Sequence, residues 1–112
     1  MKKIEAIIRP DSLEKVRKSL NSCGYPGITI SEVDGHGKQK GLTQQWRGEK
    51  FKIEFLPKIK VEIVITDKDL DKIIGLIEDA AKTGEIGDGK IFVSPIEEVV
   101  RIRTGERGES AL

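Results

Sequence analysis

The stretch Lys58-Ile59-Lys60-Val61-Glu62-Ile63-Val64-Ile65-Thr66 is the most regular segment of this sequence. Isoleucine and valine occupy every second position from Ile59 to Ile65, and most positions between them are charged. Because successive side chains of a strand point to opposite faces, this alternation predicts a β-strand with one buried face. Apolar residues then recur at steps of three and four from Leu70 to Ala81, which predicts a helix with one apolar stripe.

The same two kinds of element are predicted on either side of this segment. The predicted strands cover residues 3–8, 28–33, 58–66, 90–93 and 99–103. A first helix is predicted from about residue 10 to Gly24. The order strand-helix-strand therefore occurs twice, which is the split βαβ-βαβ pattern of an α+β, ferredoxin-like fold. Right-handed crossovers place both helices on one face of the sheet.

The other face of the predicted sheet has no helix to cover it. Ile7, Val64 and Phe92 are out of phase with the buried positions of their strands, so this face also carries apolar groups. We expect a second copy of the chain to cover it, and so predict a homo-oligomer.

Length and charge restrict the function of the chain. A chain of 112 residues fits a single domain at 1–112. Its 20 Lys+Arg against 19 Asp+Glu give a net charge of +1, which disfavours general nucleic-acid or membrane binding. The single cysteine, Cys23, excludes an internal disulfide and a multi-thiolate metal site. With no apolar run of membrane-spanning length, we expect a cytoplasmic protein.

A long polar stretch without a sustained period separates the second and third predicted strands. It runs from Val33 to Leu56 and contains Trp46, Phe51 and Phe55, three of the five aromatic residues. Loops of this length in a compact domain are usually functional or disordered, so we predict a contact surface. The alternative is a β-hairpin extension whose aromatic residues pair across its strands.

Gly87-Asp88-Gly89-Lys90 has the composition of an anion site. Two glycines allow backbone N–H groups to converge, and the lysine adds a positive charge. The segment enters a strand, so it is not a P-loop, which opens a helix. The alternative is a turn with an ordinary surface lysine.

Arg101 and Arg103 are two residues apart and share one face of the predicted last strand. Two neighbouring guanidinium groups repel each other unless an anion lies between them, and a polyphosphate matches their geometry. With the glycine turn they indicate a nucleotide polyphosphate. The alternative is ion pairing with Glu97, Glu98 or Glu106.

No catalytic arrangement is visible, since His36 is the only histidine and no nucleophile–base pair stands out. Residues 90–96 look somewhat like one motif of an RNA-recognition domain. The companion aromatic motif is absent, so we do not expect RNA binding.

Taken together, these residues resemble the PII nitrogen-regulatory signal-transduction proteins. Residues 83–96 look like the C-terminal signature of that family along their whole length. Residues 46–51 fall in the position of the family's large T-loop, at about 37–55 here, and residues 55–58 look like its stem. The similarity runs from Met1 to about Arg103.

The resemblance implies a homotrimer with ATP or ADP bound in clefts between subunits. The residues implied in nucleotide binding are Thr29, Gly37, Lys38, Gln39, Glu62, Val64, Gly87, Asp88, Gly89, Lys90, Arg101 and Arg103. Those implied in binding the effector 2-oxoglutarate are Gly37, Gln39, Gly41 and Lys58. Gln39 is further implied as a ligand of Mg²⁺ held by the ATP phosphates.

The resemblance also implies a regulator rather than an enzyme, acting by direct contact through its T-loop. Trp46, Arg47 and Phe51 become partner contacts, and Arg47 fits the family's ammonium-transporter branch. Glutamine synthetase or another nitrogen-assimilation protein is an alternative partner, and a membrane is reached only through the transporter. Phe51 replaces the tyrosine that the family modifies, so we expect no covalent switch there.

The tail at 104–112 is expected to be flexible. The alternative function is a small nucleotide-binding enzyme with slow ATPase activity.

Overall fold

The structure is a computed structural model of the chain. The structure describes residues 1–36, 43–46, 49–52 and 55–112. For residues 35–36, 43–46, 49–52 and 55 it describes the backbone only.

The described residues form six strands and two α-helices. In chain order they are β1 (Lys2–Ile8), α1 (Leu13–Ser22), β2 (Thr29–His36), β3 (Thr43–Trp46), β4 (Glu49–Lys52), β5 (Phe55–Ile65), α2 (Leu70–Ala81) and β6 (Gly89–Pro95). Short 3-10 helices at Pro10–Ser12 and Asp67–Asp69 lead into α1 and α2, and a third covers Gly108–Ala111. Within the described residues, no helix is long and apolar enough to cross a bilayer.

Four of the strands form one antiparallel sheet in the order β2-β5-β1-β6. The inner strand β1 pairs on both sides: Ile4 lies opposite Ile63 of β5 on one side and opposite Val93 of β6 on the other. This arrangement with two helices is the predicted ferredoxin-like α+β fold, and the prediction is confirmed.

The core lies between the sheet and the two helices. Alternate residues of β1 and β5 are buried, and one apolar stripe of each helix packs on them, as the sequence periods predict. The buried apolar residues are Ile4, Ala6, Ile8, Val16, Leu20, Ile59, Val61, Ile63, Ile65, Ile73, Ile77 and Ala81.

A polar contact joins the end of the first helical unit to the start of the second. The Tyr25 hydroxyl donates a hydrogen bond to the Asp69 carboxylate, and the Thr66 hydroxyl contacts the same carboxylate oxygen at 3.2 Å. Burial raises the pKa of Tyr25, and the bond to Asp69 adds to this shift. The contact fixes α2 relative to the loop after α1.

The face of the sheet opposite the helices carries both charges and apolar groups. Lys3 lies 2.9 Å from a carboxylate oxygen of Glu5 and 3.3 Å from one of Glu62, and Lys60 lies 3.2 Å from Glu62. Phe92, whose strand partner is Glu5, is 54% exposed on this face. Within one chain the face therefore lacks the cover that the helices give the other face.

The stretch between β2 and β5 contains the hairpin β3–β4. Its register sets Gln44 opposite Phe51 and Trp46 opposite Glu49. The hairpin alternative is thus confirmed for the backbone, and the two aromatic residues are not directly opposite each other. Residues 37–42, 47–48 and 53–54 lie outside the described part of the chain.

The prediction of a strand at 99–103 is wrong. Val100 makes an isolated bridge with Arg107, and the chain reverses between them. Gly105, at a φ of +74°, donates from its N–H to the Arg101 carbonyl at 2.8 Å. Glycine adopts this left-handed conformation without steric cost, so the segment forms a turn. The tail continues into the last 3-10 helix, and its flexibility stays a prediction.

Gly89 allows β6 to start close against β1, because its φ is +110° and a Cβ there would lie 1.7 Å from the Ile7 carbonyl oxygen. We predict that Gly89→Ala lowers the free energy of unfolding by at least about 2 kcal/mol, measured by urea denaturation. The cause is left-handed strain together with a clash against rigid backbone.

Gly75→Ala is the matched control, because Gly75 lies in α2 and a Cβ there meets nothing within 4 Å. This substitution should stabilise the protein by about 0.5–1 kcal/mol through helix propensity. Equal effects of the two substitutions would contradict the described packing of Gly89.

Candidate functional site

The turn at residues 83–88, between α2 and β6, is organised by one carboxylate. Asp88 accepts hydrogen bonds from the backbone N–H groups of Thr83 at 2.8 Å and of Gly84 at 2.9 Å. The Thr83 hydroxyl donates to it as well, and Arg9 Nε lies 3.1 Å away. These donors hold the pKa of Asp88 well below its usual range, with the bond from the Thr83 hydroxyl as the largest cause.

Two cations reach this turn from the sheet. Arg9, which follows β1 directly, also donates from Nη2 to the Ile86 carbonyl at 2.9 Å. Lys58 of β5 donates from Nζ to the Gly87 carbonyl at 2.8 Å. Successive carbonyls of the turn are thus each held by a positive side chain.

Lys58 is 8% exposed, although its strand position puts it on the face opposite the helices. Burial lowers the pKa of its ammonium group, and the nearby charge of Arg9 adds to the shift, while Asp88 opposes it. A buried ammonium needs acceptors, and the Gly87 carbonyl is one. The glycine turn and Lys58 therefore form one structural unit.

Gly89 and Lys90 line a cleft of about 370 Å³ beside the C-terminal half of α2. Asp88 and Ile7 belong to the same lining, whereas Lys90 itself is exposed. The remaining lining residues are Ile8, Ile74, Ile77, Glu78, Ala81, Lys82 and Ile91. The lining is mostly apolar, with Glu78, Lys82, Asp88 and Lys90 as its charged members.

Thr29 and Glu62 are directly opposite each other on β2 and β5, and Val64 lies two residues further along β5. The Glu62 carboxylate is occupied by Lys60 and Lys3, whose hydrogen bonds lower its pKa. The structure therefore brings Thr29 and Glu62 together, with Val64 on the same face.

Arg101 and Arg103 do not share the face of a strand, since the segment is a turn. Arg101 Nη1 lies 2.9 Å from a carboxylate oxygen of Glu106, which confirms the ion-pair alternative for this arginine. Arg103 is exposed. Among the described residues, neither arginine makes a hydrogen bond or ion pair with the 83–88 turn of its own chain. Their convergence on one anion site between subunits stays a prediction.

Several predicted site residues lie outside the described part of the chain or are described by their backbone alone. Gly37, Lys38, Gln39, Gly41 and Arg47 are outside the described residues. Trp46 and Phe51 are placed on β3 and β4 by their backbone alone. In the part of the chain that is described, no group of three His, Cys, Asp or Glu could hold a metal ion.

Arg9 was not among the predicted site residues, and a signal for it exists in the sequence. It directly follows the central strand, whose last residue, Ile8, pairs with Ile59 and with Gly89. In an antiparallel sheet the end of β1 must lie beside the starts of β5 and β6. The order of the strands therefore brings Arg9, Lys58 and the 83–88 turn together at one end of the sheet.

The donors around Asp88 predict a pH dependence of stability. Because folding lowers the pKa of this carboxyl, its contribution is fully present above the unfolded value and is lost as the pH falls through the folded value. We expect wild-type protein to exceed Asp88→Asn in unfolding free energy by a constant amount above about pH 5, and by less below about pH 4. Urea denaturation across this range measures the difference.

Asp79→Asn, which removes an exposed carboxylate from α2, controls for the loss of one negative charge. A gap between wild type and Asp88→Asn that stays unchanged down to pH 3 would contradict the described hydrogen bonds.

Comparison with known proteins matches the whole of this architecture to one family. The family model described as "Nitrogen regulatory protein P-II" matches residues 1–106. A protein of that name from Microchaete diplosiphon is 55% identical over 112 residues, covering 100% of both chains. One from Azospirillum brasilense is 54% identical with the same coverage. "Nitrogen regulatory protein P-II 2" of Methanothermobacter thermautotrophicus is 52% identical, over 100% of this chain and 97% of its own.

Both the match over nearly the whole chain and the identities above one half are far beyond what a shared fold alone would give. The resemblance seen in residues 83–96 is thereby confirmed. The chain belongs to the nitrogen regulatory protein P-II family, and it is a signal-transduction protein of nitrogen regulation.

Proposed function

We propose that this P-II protein is a homotrimeric, non-enzymatic sensor that binds ATP or ADP together with 2-oxoglutarate. In this proposal it acts in the cytoplasm and controls an ammonium transporter by direct contact, or else glutamine synthetase or another nitrogen-assimilation protein. The observation that carries the proposal is the glycine turn at 83–88, held by Arg9 and Lys58 beside the exposed Lys90.

The phosphates of the nucleotide are assigned to the edge where β6 begins. Lys90 is exposed at the rim of the cleft, and the residues before it supply backbone N–H groups to an anion. Arg101 and Arg103 complete the proposed phosphate site from a neighbouring subunit, and Lys38 is a further proposed contact. Binding would require Arg101 to exchange its ion pair with Glu106 for the phosphate.

The base of the nucleotide is assigned to Thr29, Glu62 and Val64. Thr29 and Glu62 are cross-strand partners, and all three residues lie on the face that has no helices. A base placed there would lie at a subunit boundary, since this is the face that a second copy would cover.

The effector 2-oxoglutarate is assigned to the same end of the sheet as the phosphates. The Lys58 ammonium already contacts the Gly87 carbonyl, so a carboxylate of 2-oxoglutarate would meet a buried cation next to the nucleotide turn. Gly37, Gln39 and Gly41 are proposed to hold the rest of 2-oxoglutarate, and Gln39 to ligate Mg²⁺ on the ATP phosphates. That ion would supply a shared positive charge for both ligands.

A regulatory partner is assigned to the stretch between β2 and β5. Trp46 and Phe51 lie on the hairpin strands, and Arg47 follows Trp46 directly. Aromatic residues and arginine are the types most often found at the centre of protein interfaces. An arginine also keeps its charge in a confined site, which suits contact with a transporter.

Calorimetry on purified protein tests the ligand assignment. We expect Lys90→Ala to weaken ATP binding by about tenfold to a hundredfold, because a charge-assisted hydrogen bond contributes ~1.5–3 kcal/mol. Lys72→Ala, on the exposed side of α2, should bind ATP as the wild type does. We further expect 2-oxoglutarate to bind only when ATP and Mg²⁺ are present.

A phosphate-release assay on the same samples separates sensor from enzyme. Sustained ATP hydrolysis would favour the alternative of a slow ATPase, and unchanged ATP affinity in Lys90→Ala would refute the phosphate assignment.

Sedimentation tests the trimer. Wild-type protein should sediment at three times the 12.4 kDa chain mass. Phe92→Lys should shift the distribution to smaller species, because it places a charge on the proposed interface. Asn21→Lys adds the same charge on α1, on the opposite side of the sheet, and should leave the distribution unchanged. A monomeric wild type would contradict the proposal.

A further inference from the structure

Arg9 makes two contacts with the 83–88 turn. Its Nε lies 3.1 Å from the Asp88 carboxylate, and its Nη2 donates to the Ile86 carbonyl at 2.9 Å. Both side chains of the ion pair are 22% exposed, so most of its surface is withdrawn from water. Its guanidinium is therefore committed to the turn and not to the cleft.

The two carbonyls held from the sheet are consecutive. Arg9 donates a hydrogen bond to the Ile86 carbonyl, and Lys58 donates one to the Gly87 carbonyl. In a planar trans peptide the C=O and the following N–H point in opposite directions. Fixing these two carbonyls on the cations therefore directs the N–H groups of Gly87 and Asp88 away from Arg9 and Lys58.

Residues 86–87 form a turn closed by the Asp88 N–H, whereas the Gly87 N–H makes no hydrogen bond to any residue that the structure describes. Other backbone groups of the turn are satisfied, since Thr83 and Gly84 donate to Asp88. The Gly87 N–H, turned away from the cation on its own peptide and without a protein acceptor, is the group that can donate to an oxyanion.

We infer that Arg9 is a positioning residue for nucleotide binding, which acts by orienting the 86–87 peptide so that the Gly87 N–H faces the phosphates. The inference rests on the proposed function. Lys58 has the corresponding effect on the 87–88 peptide, and Asp88 keeps the two ends of the turn together.

Substitution of Arg9 tests this assignment by calorimetry with ATP. Arg9→Gln should weaken ATP binding by about tenfold, because a charge-assisted bond that orients the peptide is lost. Arg9→Lys should fall between wild type and Arg9→Gln, since an ammonium is a point charge and cannot reproduce the two-acceptor geometry. Arg17→Gln is the matched control, because the ion pair that Arg17 makes within the described residues is with Glu14, on the surface of α1.

NMR signals of individual backbone amides, recorded without nucleotide, separate a local change in the turn from a general loss of stability. Arg9→Gln should shift the Gly87 and Asp88 amide signals and speed their hydrogen exchange, while amides of the central strand β5 stay unchanged. Loss of ATP affinity with unmoved Gly87 and Asp88 amides would overturn the inference, as would wild-type affinity in Arg9→Gln. Failure of the wild type to bind ATP, with these amides still moving in Arg9→Gln, would refute the proposed function but leave the turn geometry in place.

Discussion

Burial of the alternating apolar row of β5 beneath two helices is the constraint on which the rest of the structure depends. Ile59, Val61, Ile63 and Ile65 can all reach the core only if the strand keeps a single register. That register fixes β1 and β2 on either side of β5, and β1 in turn fixes β6. The face of the sheet beneath the helices is buried in the core. Polar side chains that could bind a ligand therefore lie on the opposite face and at the strand ends.

The candidate site shows how such an end is used. Ile8 ends β1 opposite Ile59 and Gly89, so the residues next to these three come together although they are distant in sequence. Arg9 and Lys58 approach the 83–88 turn from adjacent strands, and Asp88 closes it. The turn is held by groups from two strands, and its shape therefore depends on the assembled sheet. The geometry of the candidate site is thereby linked to the scaffold that carries it.

Most of the fold was predictable from the sequence, because periods of two and of three to four recur over long segments and identify buried faces directly. The strand predicted at 99–103 failed because valine, isoleucine and arginine alternate there, whereas Gly105 reverses the chain. Lys58 was predicted on the face without helices, and its burial depends on a contact with Gly87 that no local pattern reveals. The motif at 87–90 was found by composition, but the role of Arg9 required knowledge of which strands are neighbours. The ligand assignments at 37–41 stay predictions.

The bond between Tyr25 and Asp69 has a consequence for spectroscopy. Tyr25 is the only tyrosine and Trp46 the only tryptophan of the chain. One chromophore is thus hydrogen-bonded where the two helical units meet, whereas the other lies on β3 in the stretch proposed to meet a partner. Tryptophan can be excited alone at wavelengths where tyrosine does not absorb, and the tyrosine signal follows by difference from a spectrum excited at shorter wavelength. The protein therefore carries one optical reporter of its packed body and another of its hairpin. Loss of folding and engagement of a partner can then be followed in a single sample without any label.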